Sequence, residues 1–191
     1  MSDRRHRLLE LLRQRSFRQG RFTLASGAES DFFIDVKQTA LLAEGHELCG
    51  HVLFDELREL RQHTAEPLAA VAGVELGGCP LASAVAVVSW QAAKPLDALY
   101  VRKAAKDHGT KRLVEGAAHL RAGARVVLLE DVVTTGGSTL RAAATLGEAG
   151  YDVVAVIALV DRLEGGREAI ERAGLRVRSV FTRLDFIPDS L

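Results

Sequence analysis

From residue 68 to residue 181, short apolar runs alternate with stretches whose apolar residues recur at helical spacing. The runs at 68–73, 97–102, 125–130, 152–160 and 175–181 predict strands, and 80–93, 138–150 and 165–174 predict helices between them. Several of these strands are apolar at consecutive positions, which marks burial on both faces. The pattern therefore predicts an α/β fold, a mostly parallel twisted sheet flanked by helices. Ahead of it, leucines at 8, 9, 11 and 12 predict an amphipathic helix over 2–15 that starts near Ser2 or Asp3. Extended segments follow at 22–26 and 32–36 around a turn. Leu48, Val52, Leu53, Leu57 and Leu60 then predict a helix over 44–61. Neither a repeat nor a proline-rich linker interrupts the 191 residues, so the chain reads as one domain, 1–191, with its core sheet over 68–182.

Charge narrows the choice of partners. Lys and Arg number 25, Asp and Glu 25, and a balanced surface argues against bulk binding of nucleic acid or an anionic membrane. The basic, leucine-rich start invites comparison with a signal peptide. Glu10 and Arg13 interrupt it, though, and no small-residue cleavage site follows. No run approaches the ~20 apolar residues of a membrane span. Cys49 and Cys79 lie outside any CxxC pair and are expected to be reduced thiols of a cytoplasmic protein, a single disulfide being the alternative. His46, His51 and His63 lack metal-ligand spacing and read as surface residues, while Trp90 reads as core or dimer contact.

In sheets of this kind ligands bind beyond the carboxyl ends of the strands, and three strand ends are unusual. The first is RVVLLEDVVTTGGST, Arg125 to Thr139, where Glu130 and Asp131 precede a loop of threonine, glycine and serine. Glycines turn backbone N–H groups inward, and a helix start adds unpaired donors and a favourable dipole, so the loop suits a phosphate monoester. Thr135, Ser138 and Thr139 offer hydroxyl donors beside it. Two acids next to a phosphate site fit a molecule carrying hydroxyls, which points to a ribose 5-phosphate. A capped helix after a polar strand exit is the bland alternative. The absence of GxxxxGK[ST] and GxGxxG excludes the common nucleotide loops.

The second is YVRKAAKDHGTKRLVEG, where Arg102, Lys103, Lys106, His108, Lys111 and Arg112 gather around Asp107, the one acid between residues 102 and 112. It reads either as a solvated charged loop or as a cover for an anionic leaving group. The third is ALVDRLEGG. Arg162 directly after a buried strand requires a partner, either a planar carboxylate ligand or an ion pair with Asp161 or Glu164.

Together these stretches resemble the type I phosphoribosyltransferase family. The acid pair with its Thr/Gly/Ser loop resembles that family's phosphoribosyl diphosphate motif, and RKAAKDHG resembles the RKxxKxHG catalytic loop of its orotate-specific members. DRLEGG, FTLASGAESDFFID and AGVELGGCPLA resemble their base-site and first substrate-loop motifs. The resemblance implies the family fold with a small N-terminal hood formed by about 1–40, and transfer of phosphoribosyl from its diphosphate to orotate. It implies a phosphoribosyl diphosphate site made by Arg102, Lys103, Lys106, His108, Glu130, Asp131, Thr134, Thr135, Gly136, Gly137 and Ser138. Lys106, His108 and Asp131 would be catalytic. It places the pyrimidine against the backbone of Phe33 and Ile34, and against Thr134 and Arg162. It further implies Mg²⁺, held mainly through substrate and water, and a homodimer in which each loop reaches the neighbouring site. Ala25 and Leu76 stand where some members carry substrate-contacting lysines, so those two roles are not carried over. Transfer to another base, or a regulator that senses phosphoribosyl diphosphate, are the alternatives. A regulator would need an added nucleic-acid-binding element, and the chain shows none.

Overall fold

The structure, a computed structural model, describes residues 2–23, 29–61, 67–104, 113–116 and 118–187. The chain opens with α1 (Asp3–Arg15), whose first turn is capped by the Ser2 hydroxyl accepting from the Arg5 N–H at 3.3 Å. Its leucines 8, 9, 11 and 12 are all buried. An antiparallel hairpin follows, β1 (Phe17–Thr23) and β2 (Glu29–Ile34), then the short α2 (Lys37–Ala40) and the long α3 (Ala43–Arg61). The remainder is β3 (Ala70–Val74), α4 (Gly78–Gln91), β4 (Asp97–Val101), β5 (Val114–Glu115), β6 (Arg125–Val133), α5 (Gly137–Glu148), β7 (Asp152–Asp161), α6 (Gly166–Arg172) and β8 (Arg176–Thr182). A 3₁₀ turn, Arg183–Asp185, follows β8.

The six-stranded sheet has the order β5-β4-β3-β6-β7-β8 and is parallel except for β5 at the edge. Both faces are covered, as the consecutive apolar positions predict. Val127 and Leu129 of β6 belong to one buried cluster with residues of α1, α3 and α4, while Val126 and Leu128 belong to another with residues of α5 and α6. Full burial of a side chain such as Leu129 contributes about 1.5–3 kcal/mol. The chain builds outward from β3 to β4, then returns to β6 on the other side of β3. That reversal opens a crevice beyond the carboxyl ends of β3 and β6, where an open parallel sheet places its ligand.

Several details differ from the expectations. β6 continues through Val133, so the two acids lie inside the strand and not just beyond it. The first extended segment begins at Phe17, and α2 and β5 carry too little periodicity to be foreseen. Trp90 is 75% exposed, so it is no part of this chain's core. Cys49 and Cys79 are both buried and free, which removes the disulfide alternative. Among the described residues no helix is long and apolar enough to cross a membrane.

Candidate active site

Close backbone packing builds the floor of the crevice. A Cβ on Gly73 would overlap the Gly78 carbonyl, and one on Gly78 would stand 2.6 Å from the Leu129 carbonyl, so the β3–α4 loop is pressed onto β6. A Cβ on Gly77 would overlap the Asp131 carboxylate. Glycine at 77 thus leaves the space that Asp131 occupies.

The two acids differ in environment. Glu130 is only 4% exposed, and its Oε2 accepts from Thr139 Oγ1 at 2.8 Å and from Ser138 Oγ at 3.5 Å. Burial, and after it the neighbouring Asp131 charge, pushes its carboxyl up to about 8, against the opposing effect of the Thr139 hydrogen bond. Asp131 is half-buried at the crevice. The loop after β6 turns at Gly136, whose φ of 81° is the left-handed region that glycine adopts without strain. It rests on Gly166, where a Cβ would overlap the Thr134 carbonyl and lie 3.0 Å from the Gly136 nitrogen. The second glycine of the DRLEGG segment therefore supports the Thr/Gly/Ser loop from beneath. The Gly136 carbonyl accepts from Leu140, so the N–H groups of 137–139 at the start of α5 precede the helix's own bonding, the donors that a helix start offers to an anion.

The basic segment leaves the sheet edge at β4 and returns at β5. The Arg102 N–H donates to the Leu113 carbonyl at 2.8 Å, and the Lys103 N–H to Glu75 Oε2 at 2.9 Å, which ties the stem to the β3–α4 loop. Arg102 also pairs with Glu115 at 3.8 Å. Lys106, His108, Lys111 and Arg112 lie outside the described residues. A cleft of about 410 Å³ opens between this stem and α5, lined by Val101, Arg102, Lys103, Ser138 and Arg141 among others. The Arg141 guanidinium reaches back to within 3.5 Å of a Cβ built on Gly137. Arg141 carries no motif signal of its own, and only its place three residues after Ser138 marks it as a further cation beside the phosphate loop.

At the other end, the Arg162 N–H donates to the Val133 carbonyl at 3.0 Å, which sets Arg162 beside Thr134 on the adjoining strand exit. Arg162 is 4% exposed. Of its two sequence neighbours it pairs with Glu164, at 2.8 Å, whereas Asp161 takes Arg167 at 3.2 Å and the Leu163 N–H at 2.9 Å. Its guanidinium lies over the Phe32 ring, 4.3 Å from the centroid. The hairpin thus reaches the end of β7. Phe33 is 41% exposed and stands 5.7 Å from the Phe22 ring, while Ile34 is buried. His46 bonds the Ala40 carbonyl and His51 pairs with Glu47, and among the described residues no three His, Cys, Asp or Glu gather as a metal cage.

Comparison with known proteins gives the same direction. A family model for the phosphoribosyl transferase domain matches residues 40–174. An orotate phosphoribosyltransferase from Sorangium cellulosum is 60% identical over 189 residues, covering 99% of this chain and 96% of the relative. The orotate phosphoribosyltransferase of Mycobacterium tuberculosis H37Rv, solved with Fe(III) dicitrate, superposes with a TM-score of 0.79 at 39% identity, covering 96% of this chain and 99% of the other. The same protein in complex with 5-phospho-α-D-ribosyl 1-diphosphate gives 0.74 at 36% identity, covering 96% and 98%.

Proposed function

The chain belongs to the orotate phosphoribosyltransferases of the phosphoribosyl transferase family, and from this we propose how its residues share the work of joining phosphoribosyl to orotate. The products are orotidine 5′-monophosphate and diphosphate. One observation carries the division of labour: the acid pair, the helix start of α5 and the buried Arg162 converge near the ends of β6 and β7, beside the crevice at the β3–β6 reversal.

The 5-phosphate binds the N–H groups and hydroxyls of Thr134 to Ser138. The ribose hydroxyls donate to Glu130 and Asp131, and these carboxylates stabilise the positive charge that grows on the ring as the anomeric bond lengthens. Arg102, Lys103, Lys106 and His108 receive the departing diphosphate, with Arg141 adding positive charge beside the phosphate. Arg162 grips the orotate carboxylate while the backbone at Phe33 and Ile34 faces the pyrimidine. When bound, Mg²⁺ would neutralise diphosphate charge, and Asp131, half-buried at the crevice, is the side chain that would help hold it together with substrate oxygens and water. The enzyme acts in the cytoplasm, where the buried thiols of Cys49 and Cys79 stay reduced.

The testing experiment measures diphosphate release with orotate, uracil, adenine, hypoxanthine and guanine. Only orotate is expected to support turnover. Arg162→Ala is expected to lower kcat/KM for orotate by roughly 10- to 100-fold, as for loss of a charge-assisted hydrogen bond, with phosphoribosyl diphosphate binding little changed. Equal turnover of another base, or intact orotate kinetics in Arg162→Ala, overturns the assignment.

Glu130 supplies a second test. Its carboxyl, raised from the usual 4.5 to about 8, stays protonated in the ligand-free fold at pH values where the unfolded chain has ionised. Its contribution to stability is therefore full below 4.5 and lost as pH rises through 8. Ribose hydroxyls donate best to the charged carboxylate, so phosphoribosyl diphosphate should bind with release of a proton near pH 7. Calorimetry in two buffers of different ionisation enthalpy measures this. Wild type should release a proton that Glu130→Gln does not, and identical proton release by both proteins excludes Glu130 as its source.

A further inference from the structure

Phe32 lies between the exposed hairpin surface and the base pocket. It is 1% exposed and belongs to β2, yet its ring meets residues from the far end of the chain. The Arg162 guanidinium carbon lies 4.3 Å from the ring centroid, and that of Arg183, in the turn after β8, lies 5.7 Å from it. Arg183 also holds Asp31, the residue before Phe32, through a 2.7 Å ion pair. Three segments remote in sequence thus converge on one aromatic ring: the hairpin, the exit of β7 and the exit of β8.

A guanidinium over a ring is held by the ring's quadrupole, and the attraction grows when water is excluded, as it is around a side chain 4% exposed. A carboxylate needs the guanidinium edge aimed correctly, because the paired N–H groups form a rigid planar fork. Glu164 holds one terminal nitrogen at 2.8 Å. The ring, its centroid 4.3 Å from the guanidinium carbon, adds a constraint on the plane in which the fork lies.

We propose that Phe32 is a positioning residue for Arg162, setting the aim of its fork toward the substrate carboxylate, and that the Asp31–Arg183 ion pair holds the hairpin so that the ring stays in place. The inference rests on Arg162 being the ligand of the orotate carboxylate. Selection of a carboxylated base is then a joint property of the hairpin and the β7 exit.

The test compares Phe32→Leu, which retains apolar bulk without the π face, with Arg162→Ala and the double variant. Phe32→Leu should raise the orotate KM about 10-fold, with kcat and the KM for phosphoribosyl diphosphate close to wild type, as for loss of a desolvated cation–π contact. In the Arg162→Ala background the same change should cost less than about 2-fold, because residues acting through one group are not additive. Asp31→Asn at the exposed ion pair should shift the orotate KM in the same direction by about 2- to 3-fold, which keeps the idea testable if Phe32→Leu folds poorly. An unchanged orotate KM in Phe32→Leu, an equal loss in both substrates with a lowered Tm, or full additivity with Arg162→Ala would each overturn the positioning role. An unchanged orotate KM in Asp31→Asn would do so where Phe32→Leu does not fold. Should Arg162→Ala itself leave orotate kinetics intact, the base-site reading fails instead, and the two failures are distinct.

Discussion

Asp131→Asn is expected to lower kcat/KM for phosphoribosyl diphosphate by roughly 100- to 1000-fold, the scale for removing one preorganised group that stabilises transition-state charge. The orotate KM should change far less, since Arg162 stands on the adjoining strand. The fold should remain, because Asp131 is half-buried and takes no part in the core. Gly77→Ala provides an independent route to the same loss. Gly77 has φ −70° and ψ −30°, a conformation alanine adopts readily, so its backbone is not strained by the change. The added methyl would instead overlap the Asp131 carboxylate and drive that flexible side chain out of its place. Both variants should therefore keep a near-native Tm while losing turnover with phosphoribosyl diphosphate. Steady-state kinetics on the two variants decide the matter. Kinetics within about 3-fold of wild type for Asp131→Asn would remove the ribose contact from this residue.

The sequence reveals the layer order more readily than the details on which such an effect depends. Strands and helices of the sheet region were legible because consecutive apolar positions and helical spacing are strong, local signals. The end of β6 was not. Glu130 and Asp131 interrupt the apolar run, but Val132 and Val133 pair with Val160 and Asp161 of β7, and pairing across the sheet carries the strand past the acids. The motifs named the residues around the crevice without their environments. Glu130 and Asp131 are adjacent and chemically alike, yet one is buried under Thr139 and the other lies against Gly77. Likewise, sequence left Asp161 and Glu164 as equal partners for Arg162. The turn at Leu163, with φ 58°, lets the Leu163 N–H close on Asp161, which also meets Arg167 and so leaves Glu164 for Arg162. Such choices are made by tertiary geometry, to which short-range pattern is blind. The role of Phe32 belongs to the same class, since its partners lie far from it in sequence.

The second large effect concerns the oligomer. In the homodimer that the family resemblance implies, each basic loop would cover the site of the neighbouring subunit, while Arg102, bonded to Leu113 at the sheet edge, would stay with its own. Lys106→Ala and Arg162→Ala chains are each expected to be nearly inactive with orotate at concentrations well below KM. Mixed in equal amounts and allowed to exchange, half of the dimers should carry one chain of each kind. With the loop acting across the interface, one site of each mixed dimer combines an intact loop with an intact Arg162, and the other site carries both lesions. Activity should then recover to about a quarter of wild type, since half the dimers hold one good site in two. A loop closing over its own subunit would leave one lesion in every site, and mixing would restore nothing. Subunit exchange is verified first by native mass spectrometry of differently tagged chains, so that a flat result has one meaning. Verified exchange without recovery overturns the shared site, while leaving the chemistry assigned to Glu130, Asp131 and Arg162 within each chain.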